Sequence, residues 1–505
     1  MSVSTPVNAE IEGRPILEGA MAPPETNHGI RAVKMGLGAL SIYGSGALVE
    51  NITTLTVGGL LLFYLTIICG LSGSYAGAAL GLTLVVDSFI DPVVGSISDN
   101  SRSRHGRRHP FMLASIIPIV ITFGLMFSVP RGLTGLPLFA YALVMLLSMR
   151  VAISFFYVPY MALGAELTDD YAERSNVVAG RVFFTVLGGL AFAVLAWLVF
   201  LPGKNGRLVG AAYSPLAWTL GGMVAVGAIL STLGTLRARG RLHAAPTGGN
   251  FGFGQLISEV LEVLRNRSFI SLFMPCLILF TALGVAGTLT LHANTFFWKL
   301  GASQIFLLSL FSLVGVFAGI FGAAALAKRM EKKLAAILGL ALIGVAQVGP
   351  VMLKLAGVIQ LSQAVPTLAV ATMLGGLGAA IATIAFQSMM ADAADEHEFL
   401  FGARREGLYF AGITLSAKAS SGLGAWIGGI ALDVIGFPHG VANPALLAKI
   451  PAETIRNLGI AYGPVASIFT LVALLVLMTY KLTKADHARI QTELQSRRAE
   501  KAAAG

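Results

Sequence analysis

The sequence predicts an all-α polytopic membrane protein, with about twelve transmembrane helices in two six-helix halves. Three observations predict it. The 505 residues are 55% hydrophobic and only 12% charged, where a soluble domain carries about 25% charged residues. Mean hydropathy is +0.78, more apolar sequence than a soluble core can bury. Basic residues also crowd into alternate loops.

Crossing ~30 Å of hydrocarbon takes roughly 20 apolar residues. Such runs fall at 36–68, 74–98, 111–130, 136–163, 179–202 and 212–236, then at 268–298, 301–327, 334–357, 364–390, 406–436 and 458–482. The first run is overlong and must tilt or bend. Residues 1–35 are polar, contain Pro23-Pro24 and lack the basic-then-apolar order of a cleaved signal. They read as a disordered cytoplasmic tail. Cys69 and Cys276 lie inside apolar runs and read as buried thiols, not a disulfide.

The net charge of +10 is placed by topology, and no nucleic-acid partner is expected. Arg102, Arg104, Arg107 and Arg108 fall in one loop, Arg237 to Arg267 in a second, and Lys328 to Lys333 in a third; Lys481 to Lys501 follow the last span. The intervening loops are poorer in Lys and Arg. This asymmetry puts both termini in the cytoplasm, with an even number of spans.

The basic connection 237–267 separates an N-terminal bundle, 36–236, from a C-terminal bundle, 268–482, with a cytoplasmic tail at 483–505. The connection holds the turn-rich stretch Pro246 to Asn250, and Gln255–Leu264 could lie on the membrane surface as an amphipathic helix. Both the second and eighth spans end in a glycine followed by a basic loop, which hints at a repeat. Repeated halves suit alternating access around a midplane site.

Ionisable groups within spans are expensive and mark functional sites. Here they are Glu50, Asp87, Asp91, Arg150, Arg181 and Lys418, with Asp433 nearer a helix end. Asp87 and Asp91 sit four residues apart, on one helix face. Two carboxylates so close need a cation between them or a proton on one. Hard oxygens suit an alkali ion, and Pro92 would kink the helix and free carbonyls. Alternatively, the acids hold neighbours such as Arg181 or Lys418. Those bases lie in different halves and could bind solute, neutralise the acids, or alternate between the two. Arg150 could pair with Glu50 or touch solute. His105 and His109 lack partners at metal spacing, and His292 could line a cavity or simply pack. No phosphate-binding G-x-x-x-x-G-K-[ST] pattern occurs, which argues against an ATP-driven pump; no enzyme and no cofactor are expected.

The run from Asp87-Ser88-Phe89-Ile90-Asp91-Pro92 through Asp99 to Arg107-Arg108-His109-Pro110 resembles the glycoside–pentoside–hexuronide:cation symporter family of the major facilitator superfamily. So do Val158 to Arg174, after the fourth span, and Ala391 to Gly407, before the eleventh. The resemblance covers nearly the whole membrane domain. It implies a Na⁺, Li⁺ or H⁺ site at Asp87 and Asp91, a functional lysine at Lys418, a solute-facing arginine at Arg181, and gating positions at Asp99 and Arg107 in a cytoplasmic latch where charge pairs hold one gate state.

Two sugar-binding aspartates of melibiose permease, a member of that family, correspond here to Asn51, with Glu50 beside it, and to Tyr157; its stacking aromatic corresponds to Met161. Lysophosphatidylcholine symporters, which are similar to the family, also lack that set. The expectation is therefore a cation-coupled symporter in a bacterial inner membrane, driven by Na⁺ rather than H⁺. It is expected to be a monomer carrying a glycoside or related polar solute bound by Glu50, Asn51, Tyr157, Arg181 and Lys418. The alternative is a lysophospholipid symporter. A non-transporting receptor or scaffold gains little from six buried charges that cost roughly 2.5–3.5 kcal/mol each on insertion scales.

Overall fold

The computed structural model describes residues 36–101, 103, 106–168, 170–236, 263–402, 406–441 and 449–504. The expected disordered tail at 1–35, the turn Pro246 to Asn250 and nearly all of the expected surface helix Gln255–Leu264 lie outside them. Ten described helices are long and apolar enough to cross a membrane. The broken segment Leu37–Ile68 and the helix Glu406–Val434 coincide with the two remaining expected spans, and no strand occurs among the described residues.

The overlong first run solves its length by breaking. Helix α1 (Leu37–Gly44) stops where Ser45 Oγ donates to the carbonyls of Ile42 and Gly227, and α2 (Ala47–Thr56) runs into wide π-helical turns at Val57–Leu61 and Tyr64–Ile68. Then come α3 (Gly73–Asp99), α4 (His109–Met126), α5 (Gly135–Glu166), α6 (Tyr171–Val194) and α7 (Tyr213–Leu236). The second set is α8 (Arg267–His292), α9 (Ala302–Arg329), α10 (Lys332–Leu355), α11 (Ala364–Phe401), α12 (Glu406–Val434), α13 (Ala452–Ile460) and α14 (Ala466–Leu477). Both cysteines are free.

Two segments exceed the hydropathy reading. Helix α11 outruns its apolar stretch and carries Asp392 and Asp395 beyond it. It ends at Gly402, whose φ of +75° provides the left-handed turn that a side chain would disfavour. The tail expected after the last span contains helix α15 (Lys484–Ala504), which returns to α11. His487 Nε2 lies 3.1 Å from Asp395, and Arg498 donates to Glu398 at 2.8 Å.

Packing rests on small residues, as close helix approach in lipid requires. Helices α3 and α12 run antiparallel, one from each half, and meet along a glycine seam. A Cβ on Gly77 would stand 2.8 Å from the Ala425 carbonyl, one on Gly81 2.7 Å from that of Gly422, and one on Gly429 2.1 Å from that of Gly73. The outward surfaces are apolar, with Phe89 67% and Phe321 74% exposed, the pattern of a lipid-facing belt.

One end of the molecule carries Arg107, Arg108, Lys332 and Lys333; hydrogen bonds between the halves gather at the opposite, far end. There the Asp433 carboxylate caps α3, accepting from the Gly73 and Ser74 amides at 2.8 and 2.7 Å. Thr66 Oγ1 lies 3.0 Å from His292 Nε2, while the Thr66 carbonyl accepts from the Gly440 amide at 3.0 Å. Arg207, fully buried, donates to the Leu300 carbonyl. The far end is thus closed.

Candidate functional site

The glycine seam leads directly to the charges. On α12, Lys418, Gly422, Ala425, Gly429 and Asp433 follow at helical spacing and form one face. On α3, Gly73, Gly77 and Gly81 lead along the antiparallel partner to Asp87 and Asp91. Because no side chain separates the backbones, Lys418 reaches across the seam. Its Nζ donates to Asp87 Oδ2 at 2.8 Å and also to Asp91 Oδ2. Asp87 is 2% exposed, whereas the Asp91 and Lys418 side chains keep about a quarter of their surface. Helix α3 runs on through Pro92, which has no N–H to give the carbonyl one turn back.

The other two carboxylate oxygens meet a residue that the sequence reading passed over. Ser154 Oγ on α5 lies 2.7 Å from Asp91 Oδ1 and 3.2 Å from Asp87 Oδ1. Three hard oxygens, Asp87 Oδ1, Asp91 Oδ1 and Ser154 Oγ, therefore converge opposite the ammonium. This donor set fits a small hard cation. The signal was present in the sequence. Arg150, Ser154 and Tyr157 recur at intervals of four and three, one polar stripe on an apolar helix.

The remaining expected residues fall around this core. Glu50 Oε1 lies 3.8 Å from Arg150 and accepts from Thr54 Oγ1 at 3.1 Å. Arg181, on α6, does not reach the aspartates; its Nη1 lies 2.8 Å from Met161 Sδ. Tyr157 is within electrostatic reach of Glu50, Arg181 and Lys418. Asn51 turns its side-chain oxygen, buried and without a hydrogen-bond partner, toward α6, where a Cβ on Gly188 would stand 3.1 Å away.

At the basic end, Asp99 and Arg107 do not pair with each other. Arg107 pairs with Glu166, and Arg108 bridges Glu166 at 2.6 Å and Asp99 at 3.3 Å. Burial pulls the Arg108 guanidinium below its ordinary value, against the opposing pull of Glu166 and Asp99. The second half repeats the plan: Lys332, at the start of α10, donates to Asp392 near the end of α11 at 2.7 Å.

Comparisons with known proteins agree with this architecture. The chain is 25% identical to an uncharacterized symporter of Synechocystis sp., over 90% of this chain and 96% of the relative. It is 25% identical to the glucuronide carrier protein homolog of Escherichia coli, over 90% and 95%. The isoprimeverose transporter of Lactiplantibacillus pentosus is 24% identical, over 86% and 87%. Among solved structures, an inward-facing bacterial homolog of the human lysosomal transporter Spinster superposes with a TM-score of 0.61 at 14% identity, over 88% of this chain and 98% of that one. A D-xylose–proton symporter gives 0.57 at 14% identity, over 88% and 97%. These likenesses show the major facilitator fold. The family model described as MFS/sugar transport protein matches residues 42–484, and the chain belongs to that family of membrane transporters.

Proposed function

We propose that the protein is a Na⁺-coupled symporter that carries a sugar, glycoside or related polar solute by alternating access. The observation that carries this reading is the convergence of Asp87, Asp91 and Ser154 at the point where Lys418 arrives from the other half. Two adjacent carboxylates repel unless a positive charge lies between them, and here the ammonium supplies it. A Na⁺ ion entering among the three oxygens competes with Lys418 for the carboxylates. Lys418 is then released toward the solute, so ion binding prepares the solute site. A proton would need only one carboxylate; two carboxylates and a hydroxyl favour an alkali ion. The printed names of two relatives, a glucuronide carrier homolog and an isoprimeverose transporter, support a sugar-like cargo. Glu50, Asn51, Tyr157, Arg181 and Lys418 would contact it.

The basic end faces the cytoplasm in this reading, by the positive-inside rule, in a bacterial inner membrane with both termini inside. The closed far end is then extracellular and the structure faces inward. The bundles 36–236 and 268–482 rock about the site with 237–267 as their linker. The cluster of Asp99, Arg107, Arg108 and Glu166 acts at the cytoplasmic gate. The test is uptake into proteoliposomes of a panel of glycosides and lysolipids under an imposed Na⁺ gradient. Sodium-stimulated uptake of at least one glycoside supports the reading; stimulation confined to lysolipids, or none, overturns it.

A further inference from the structure

The two halves differ at the basic end. In the first half, Asp99, Arg107, Arg108 and Glu166 satisfy one another. In the second, Asp392 accepts from Lys332 at 2.7 Å, and a further partner arrives from the tail. Helix α15 presents His487, Gln491, Leu494 and Arg498 at intervals of four, three and four, which is one helix face. Three of them meet α11. His487 Nε2 stands 3.1 Å from Asp395 Oδ2 and 3.4 Å from Asp392 Oδ1; Gln491 donates to Asp395 at 3.2 Å; Arg498 donates to Glu398 at 2.8 Å. Leu494, between them in the row, is buried. Helix α15 thus covers a stretch of α11 in which Asp392, Asp395, Glu396 and Glu398 follow within about two turns.

His487 is the variable member of this contact, because histidine changes charge between about pH 5 and 8. A neutral imidazole offers the two aspartates at most one N–H through Nε2. An imidazolium adds a full charge, and charge-assisted hydrogen bonds are roughly twice as strong as neutral ones. Lys332 balances only one of the two aspartates, so a charged His487 completes their neutralisation. Glu331, Lys333 and Lys484 border the same hollow, with Tyr480. Lys333 donates to the carbonyls of Met478 and Tyr480 instead of to an acid. The more exposed Arg498–Glu398 pair adds little, which leaves His487 in control.

We propose that α15 is a proton-tightened strap on the cytoplasmic gate. With His487 charged, the helix stays docked and its basic groups occupy the acids of α11. With His487 neutral, it lets go, and those acids become free to draw toward Arg107 and Arg108 of the first half, which lie at the same end. The docking strength is therefore present at low pH and lost as pH rises. Acid on the cytoplasmic side holds the gate open; alkali permits closure. This rests on reading the basic end as cytoplasmic and the halves as rocking.

Two measurements on the full-length protein test it. Hydrogen–deuterium exchange of residues 484–504, corrected for the intrinsic pH dependence of exchange, reads docking. Wild-type protection is expected to be at least about threefold greater at pH about 6 than at pH about 8. His487→Gln should be flat at the lower level, and His487→Lys, charged throughout, should be protected at both. Spin labels on cysteines substituted at Ser101 and Leu400, with Cys69 and Cys276 replaced by alanine, read the distance between the halves. Raising the pH should shift the wild-type background toward the shorter distance and leave the His487→Gln background unmoved. Equal protection at both pH values, a pH response that persists in His487→Gln, or release of α15 with no change in distance overturns the proposal. A single distance at every pH and Na⁺ concentration sinks the rocking reading and the strap with it; two distance populations indifferent to pH sink the strap alone.

Discussion

Lys418 and Asp87 meet at 2.8 Å from opposite halves of the molecule, at the end of a seam in which backbone lies against backbone. The pair is a structural bond between halves and, in the proposed reading, the element that an entering cation would displace. Removing either carboxylate should therefore do two things at once. Asp87→Asn and Asp91→Asn are each expected to abolish sodium-stimulated uptake while the protein stays folded and membrane-inserted. Uptake at the parental level in either variant would make the pair purely structural.

Ser154 offers a graded version of the same test. Its hydroxyl is shared between Asp87 and Asp91, and losing one neutral ligand or hydrogen bond costs about 0.5–1.5 kcal/mol. Ser154→Ala should weaken apparent Na⁺ affinity on the order of twofold to tenfold, whereas Ser154→Thr keeps the hydroxyl and should retain most of it. A titration of uptake against Na⁺ concentration separates these outcomes. An unchanged half-saturation in Ser154→Ala would remove the hydroxyl from the ligand set.

The seam itself predicts a conformational defect. Any side chain on Gly77 must displace the α12 backbone, since its first carbon would already stand 2.8 Å from the Ala425 carbonyl. Gly77→Leu should prevent far-end closure and stop transport. The measurement is maleimide labelling of a cysteine substituted at Ser74, which should become more accessible in the Gly77→Leu background. Labelling no faster than in the single cysteine variant would mean that the seam tolerates bulk.

Ion pairs at the basic end should differ sharply in worth. The side chains of Arg108 and Glu166 are 7% and 13% exposed, so Glu166→Gln strands a desolvated guanidinium with only Asp99 nearby. Breaking a buried pair costs roughly 3–5 kcal/mol, and a clear fall in melting temperature is expected. Arg498, 52% exposed beside Glu398, belongs to the class worth about 0–1 kcal/mol. Arg498→Ala should leave melting within about a degree or two of wild type. Similar losses in both variants would contradict this ranking.

The membrane spans were legible because lipid imposes one requirement, an apolar run of sufficient length, and hydropathy reads it directly. The expected run 74–98 is Gly73–Asp99 in the structure, and 268–298 is Arg267–Phe297. What hydropathy could not reveal lies where lipid no longer constrains the chain. Helix α11 continues past its expected end at 390 to Phe401, and α15 forms in a polar tail. Within the site, Asp87, Asp91 and Lys418 could be singled out because charge in a span is conspicuous. Their mutual contact could not, because it depends on glycine-mediated packing between helices more than 300 residues apart. Ser154 escaped attention since a lone serine in an apolar helix carries no cost signal; only its register with Arg150 and Tyr157 marks it. The basic-end partners differ for a similar reason: Glu166 lies beyond the end of its apolar run, where periodicity says nothing about which arginine it meets.

The most direct test of the central claim is the melting temperature of purified protein titrated with NaCl, with choline chloride holding ionic strength constant. A cation that binds only the folded state stabilises it by RT ln(1 + [Na⁺]/Kd), about 2.7 kcal/mol at a hundredfold excess over Kd. The account predicts a saturable rise with Na⁺ that choline does not reproduce and that Asp91→Asn eliminates. A melting temperature that follows ionic strength alone, together with uptake driven by a pH gradient at zero sodium, would contradict it.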